Sequence, residues 1–154
     1  MELTLKKVKV VKELSDETTC YYAEVWVNGK RAFSAQNEGR GGPDEFHPLT
    51  DEGKTLLKEV EAYAKSLPPY KYPSGNGLPE GELEYDLDML IGDLLDKWDL
   101  DRGFRRMCKT STLVQFPGYK EDEYSKMKTL YSPQVKETLI KKYPDIIIIN
   151  ERYL

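Results

Sequence analysis

Over the first forty residues, apolar and polar positions alternate with the two-residue period of β-strands. Leu3, Leu5, Val8, Val10 and Val11 stand among lysines in residues 2–13, which reads as an edge-like strand with a bulge. Residues 19–27 (TCYYAEVWV) are rich in β-branched and aromatic side chains, and residues 30–36 (KRAFSAQ) follow Asn28-Gly29. Asn-Gly supplies the two positive φ angles of a type I′ turn, so a two-residue hairpin is predicted here. Its register pairs Val27 with Lys30, Trp26 with Arg31, Val25 with Ala32 and Glu24 with Phe33. One face then carries Ala23, Val25 and Ala32. The other carries Tyr22, Trp26 and Phe33, with Arg31 able to lie on Trp26. Apolar groups on both faces predict that both are packed, the aromatic one against a helix or a neighbouring subunit.

The period changes at Thr50. Thr50 is placed to cap a helix running to Ser66, with Asp51 and Glu52 in its first turn and an apolar face of Leu56, Leu57, Val60, Tyr63, Ala64 and Leu67. Residues 67–79 (LPPYKYPSGNGLP) hold four prolines and two glycines and read as an ordered loop packed by Tyr70 and Tyr72. A second helix is expected over residues 80–98, with Leu83, Leu87, Leu90, Ile91, Leu94, Leu95 and Trp98 as its stripe, and a short helix over 101–109. A strand at 112–116 (TLVQF) and an antiparallel partner at 124–130 follow, then a helix capped by Ser132 with Pro133 at its first position. Pro144 ends it, and residues 146–149, four isoleucines, read as a fully buried strand. The class is α+β, a largely antiparallel sheet with about four helices. It forms a single domain over 1–154, with sub-halves 1–66 and 80–154 joined by the proline loop.

Composition narrows the classes further. The chain has 154 residues, of which 39% are hydrophobic and 32% charged, and its mean hydropathy is −0.65. These values suit a core beneath a heavily charged surface. No run approaches the length of a membrane span, and residues 1–10 (MELTLKKVKV) do not form a leader's apolar stretch, so a non-membrane, cytoplasmic protein is expected. Cys20 and Cys108 make neither a disulfide framework nor a zinc site. The net charge is −4, which argues against broad coating of nucleic acid. Its distribution is uneven. Residues 80–101 hold nine carboxylates against Lys97 alone, a charge of −8, which leaves +4 for the rest.

Candidate chemistry concentrates in two segments. In residues 37–48 (NEGRGGPDEFHP), Gly39, Gly41 and Gly42 flank Arg40 directly after a strand. Glycines can turn several N–H groups into one concavity, and Arg40 would add a cationic fork, so an anion nest is one reading and a tight strand-to-helix turn is the other. The loop matches neither a Walker nor a dinucleotide fingerprint. His47, the only histidine, has Glu38, Asp44 and Glu45 nearby, as a general base or as a structural donor; no cofactor and no metal ligand set is recognisable. In the second segment Arg102, Arg105, Arg106 and Lys109 recur at helical spacing with no acid between them. They either form an anion-binding face or neutralise the adjacent acidic helix. They also surround Cys108, whose thiol they would acidify, although burial of both cysteines is the expected role. Asp86, Asp93, Asp96 and Asp99 on the acidic helix form either a solvated surface or a phosphate-like array presented to a partner.

Residues 25–47 (VWVNGKRAFSAQNEGRGGPDEFH) resemble a group of short hypothetical proteins from bacteria, phages and mobile elements that carry a VNGK hairpin, an NxGRGG loop and a following aromatic-His pair. The likeness extends to the acidic helix, to residues 108–113 (CKTSTL) and to the Tyr-Pro ending. It implies a small accessory protein of the bacterial host cytosol and lends no catalytic residue. The expected function is therefore a non-enzymatic binding protein, a phage-type inhibitor of a host defence system. It would engage an anion, a nucleotide or a partner protein through Gly39, Arg40, Gly41, Gly42, Arg102, Arg105, Arg106 and Lys109. Two alternatives remain open: a protein-surface inhibitor using the acidic helix as a nucleic-acid mimic, and a phosphoester hydrolase using His47 with Glu38 or Asp44. A homo-oligomer is compatible with either binding reading.

Overall fold

A computed structural model of the protein describes residues 1–154. The hairpin turn has the expected geometry, with φ of 49° at Asn28 and 80° at Gly29. Strands β1 (Leu3–Val10), β2 (Tyr21–Val27), β3 (Lys30–Asn37) and β4 (Glu45–Pro48) form an antiparallel sheet in the order β1-β2-β3-β4. β1 has the expected irregularity, between Lys6 and Lys9, and Lys7 there takes a positive φ of 52°. β4 lies in the stretch after the glycines, where the sequence predicted a loop.

The hairpin register is correct only for its first two pairs. Val27 faces Lys30 and Trp26 faces Arg31, but a bulge at Ala32 then brings Val25 opposite Phe33 and Glu24 opposite Ser34. Phe33 therefore sits on the Val25 face and not with Trp26, and it is fully buried. Burying a phenylalanine side chain is worth about 2 kcal/mol. The hairpin thus shifts by one residue and places Phe33 in the core.

Helix α1 (Asp51–Ser66) starts where Thr50 predicts, its hydroxyl accepting from Gly53 N at 2.9 Å. Val60 and Ala64 pack with Val25, Phe33 and Ala35 on one face of the sheet. The proline stretch contributes strand β5 (Tyr70–Tyr72), paired with β6 (Gly81–Leu83). Residues 80–86 are thus not helical. Helix α2 spans Leu87–Met107, so the two helices expected over 80–98 and 101–109 are one, and the α-helices number three rather than about four. Asp86 is its cap, accepting Met89 N at 2.9 Å through Oδ1. Leu83, assigned to the apolar stripe, lies instead on β6, where it is 49% exposed opposite the similarly exposed Tyr70.

The chain divides into two compact units, Met1–Leu95 and Asp96–Leu154, with the boundary in the sequence of α2. The first contains β1–β6, α1 and the beginning of α2. The second contains the rest of α2, strands β7 (Thr112–Gln115), β8 (Ser125–Met127) and β9 (Ile147–Ile148), and helix α3 (Pro133–Lys142). β7 is central in the order β8-β7-β9, and all four of its residues are buried. Phe104, Leu113 and Ile149 form one cluster; Val114, Leu139 and Ile148 form another. α3 begins on Ser132 as predicted, its hydroxyl accepting from Val135 N. The isoleucine run is not a fully buried strand: Ile147 is 54% exposed on a sheet edge, and the chain turns into a 3-10 helix from Ile149.

Candidate anion-binding site

The glycine loop is a hydrogen-bonded corner. Gly39 and Gly41 take φ of 84° and 87°, which only glycine adopts without strain. Gly39 N donates to Asn37 Oδ1 at 2.8 Å and Gly41 N donates to Thr18 Oγ1 at 3.3 Å, so two of the three glycine N–H groups have protein partners. Gly39 O in turn accepts from Asp16 N and Glu17 N at 3.1 Å. Arg40 is exposed and lines a cavity of about 270 Å³ with Glu38, Gly42 and Glu45. The single cation there faces two carboxylates, which weakens the field available to an anion.

Behind the loop lies a polar cluster that sequence reasoning missed. Buried Asn37 donates through Nδ2 to Asp44 Oδ1 at 2.9 Å and to Gly42 O at 3.0 Å. Asp44 N donates to Asp88 Oδ2 at 3.3 Å, tying the loop to the first turn of α2. Partial burial, and then the Asp44 and Asp86 charges, push the Asp88 carboxyl above its ordinary pKa, while the Asp44 N–H opposes the shift. Tyr21, opposite Asn37 on β2, is buried beside these acids, and desolvation and then Asp44 raise its phenol above the usual range. The signal in the sequence was the pair of hydrogen-bonding residues, Asn37 and Asp44, flanking the glycines.

His47 lies on β4 opposite Ser34, with its side chain 60% exposed. Its nearest acid is Glu45, with Nε2 3.6 Å from Oε2. Asp44 is engaged by Asn37, and Glu38 makes no ion pair with the ring.

In the second unit, the basic residues stand on the last turns of α2 and just beyond. Arg105 reaches Asp101 Oδ2 at 3.4 Å and lies over the Tyr153 ring, 4.9 Å from its centroid. Tyr153 donates its hydroxyl to Asp101 Oδ1 at 2.8 Å, and desolvation and then this bond push its pKa up to about 12. Arg102 lies over Trp98 and 3.9 Å from Asp99. Arg106 and Lys109 make no ion pair within this unit. Arg105, Cys108, Lys109, Tyr131 and Tyr153 line a cavity of about 350 Å³ together with Leu130, Leu154 and the buried Asn150. Burial raises the Cys108 pKa and Arg152 opposes that rise, so the thiol is not the acidified nucleophile that its cationic neighbours suggested.

Of the predicted basic set, Arg105 and Lys109 share this cavity, and Arg40 with its glycines belongs to the first unit. Among the predicted acidic residues, Asp86 caps α2, Asp93 accepts from Tyr85, Asp99 approaches Arg102, and Asp96 is exposed. No helix is long and apolar enough to cross a membrane, and no three side chains of the His, Cys, Asp and Glu types are grouped to hold a metal. No protein-family model, curated protein or solved structure matches the chain.

Proposed function

We propose that the protein is a binding protein for a small anion that carries a flat ring, of the nucleotide class, held in the cavity of the second unit. The observation that carries this reading is that Arg105 and Lys109 share one cavity with Tyr131 and Tyr153. A volume of about 350 Å³ falls within the range of small-ligand sites. Lys109, which no acid neutralises within this unit, meets the anionic group. Arg105 is held by Asp101 and Tyr153 and so presents its guanidinium in a fixed position at low entropic cost. The tyrosine rings offer the ring system a stacking surface. The role we assign is capture of a nucleotide signal by a phage-type inhibitor of a host defence, in the host cytosol, which is the setting that the sequence resemblance implies.

A thermal-shift screen of the full chain against mono-, di- and cyclic nucleotides tests this. One nucleotide should raise the Tm, and Lys109→Ala should abolish the rise while leaving the unliganded Tm unchanged. At ligand concentrations about 100 times Kd, binding adds about 2.7 kcal/mol of stability, well within detection. No stabilisation by any nucleotide, or an unchanged shift in the Lys109→Ala protein, overturns the proposal.

A further inference from the structure

The first sheet has a second face, and its chemistry differs from that of the unit that carries it. Residues paired across antiparallel strands point to the same side. Thr4 with Trp26, Lys6 with Glu24, Lys9 with Tyr22, Trp26 with Arg31, Glu24 with Ser34, Ser34 with His47, Tyr22 with Gln36 and Gln36 with Glu45 therefore define one surface. The core formed with α1 and α2 uses the opposite side, through Ala23, Val25, Phe33 and Ala35. Tyr22 and Trp26 lie outside that core and are half-buried.

The first unit has 11 lysines and arginines against 18 carboxylates, yet this face carries Lys6, Lys7, Lys9 and Arg31 against only Glu24 and, at its edge, Glu45. Its central acid, Glu24, is 1% exposed and is held by Arg31 at 3.0 Å and Lys7 at 3.8 Å. Lys6 and Lys9 are exposed, and neither forms an ion pair. Lys6 Nζ stands 3.7 Å above the Trp26 ring. Trp26 Nε1 is buried without a hydrogen-bond acceptor. Two free ammonium groups and two half-buried aromatic rings share this face of the sheet.

We propose that this face binds single-stranded nucleic acid. Phosphates take Lys6 and Lys9, and bases stack on Trp26 and Tyr22, the pairing of cations with aromatic platforms that serves sequence-tolerant strand binding. An incoming base replaces the Lys6 ammonium over Trp26, and that ammonium moves to the adjoining phosphate. Glu24 does not repel the strand, because Arg31 and Lys7 neutralise it.

Fluorescence anisotropy of a labelled oligothymidylate of about 12 nucleotides tests the surface. The full chain should bind at low salt, with log K falling against log salt at a slope of about −1.4 for two phosphates. Lys6→Glu with Lys9→Glu should weaken binding about tenfold or more. The control, Lys54→Glu with Lys58→Glu on the exposed side of α1, should leave it unchanged. In a Trp98→Phe protein, where Trp26 is the sole tryptophan, the oligonucleotide should quench fluorescence. The proposal is overturned by absence of binding, by equal loss in the control, or by an unquenched Trp26. Polyglutamate competing as well as the oligonucleotide would overturn it in favour of an acidic protein partner. Loss through Lys109→Glu alone would move the strand to the other unit. Because the nucleotide cavity shares no residue with this face, either site can fail without the other.

Discussion

Asn150 Oδ1 accepts the backbone N–H of Leu113 at 2.8 Å, and its Nδ2 donates to the Ser111 carbonyl at 2.8 Å. The amide thus extends the ladder of the central strand β7 from a residue distant in sequence, and Asn150 also lines the cavity that Lys109 borders. Asn150→Ala leaves a buried N–H and C=O without partners. Denaturant unfolding should show a loss of about 3 kcal/mol. Asn150→Asp keeps the acceptor and loses the donor, so the loss should be greater at neutral pH than near pH 3, where the carboxyl can donate.

The Arg31–Glu24 ion pair should matter more than an exposed one. Glu24 is nearly inaccessible, whereas the Arg31 side chain is 42% exposed. Removing Arg31 leaves the carboxylate with Lys7 alone. Arg31→Ala should cost about 2–3 kcal/mol, between the values for surface and buried pairs. Glu24→Gln in the Arg31→Ala background should recover part of that loss, which a double-mutant cycle by urea denaturation would read.

Asp88 makes stability depend on pH in an unusual direction for a carboxylate. Its pKa is raised in the fold, so ionisation opposes folding. Its contribution is complete below the unfolded aspartate pKa, about 3.9, and is lost as pH rises through the folded value. Asp88→Asn retains an acceptor for Asp44 N and carries no charge. Its Tm should exceed that of the parent at pH 7 and match it near pH 3. A lower Tm at pH 7 would contradict the sign.

Tyr153 should titrate late. Its neutral phenol is favoured by burial and by donation to Asp101, so its stabilising contribution persists below about pH 10 and disappears as pH approaches 12. The difference in tyrosinate absorbance between the parent and Tyr153→Phe should have its midpoint at about pH 12.

Gly53 lies in the first turn of α1, where alanine is ordinarily better by about 1 kcal/mol. A Cβ there would run into the Ala32 carbonyl at the β3 bulge, which also accepts Leu49 N at 2.9 Å. Gly53→Ala should therefore lower the Tm despite its helix propensity. Thermal unfolding followed by circular dichroism would show an increase if the bulge yields.

Local signals carried most of the elements. The Asn28-Gly29 turn, the Thr50 and Ser132 caps and the strand character of residues 19–27 are visible because each depends on neighbours within a few residues. The start of α2 was set too early because the acidic flank begins at Glu80 while the cap is Asp86, and its continuation through Trp98–Asp101 into the basic stretch was not legible as a single helix. The β5–β6 pairing was hidden because its strands are three residues each and lie among prolines. Of the candidate site, the cations at 102–109 were legible from helical spacing. Their company of Tyr131, Asn150 and Tyr153 was not, because those residues reach the cavity only through the packing of the second unit.

By itself the sequence determined the α+β class, the hairpin turn, two of the three α-helix starts and the uneven charge, since each follows from backbone preference, periodicity or simple counting. The tertiary structure decided the one-residue bulge at Ala32, which puts Phe33 inside and leaves Trp26 on the opposite face. It also decided which charges are engaged: Glu24 by Arg31, Asp101 by Arg105 and Tyr153, with Lys109 left facing a cavity. The physical reason is that register and charge pairing minimise the free energy of surfaces brought together from distant parts of the chain, which local propensity does not encode.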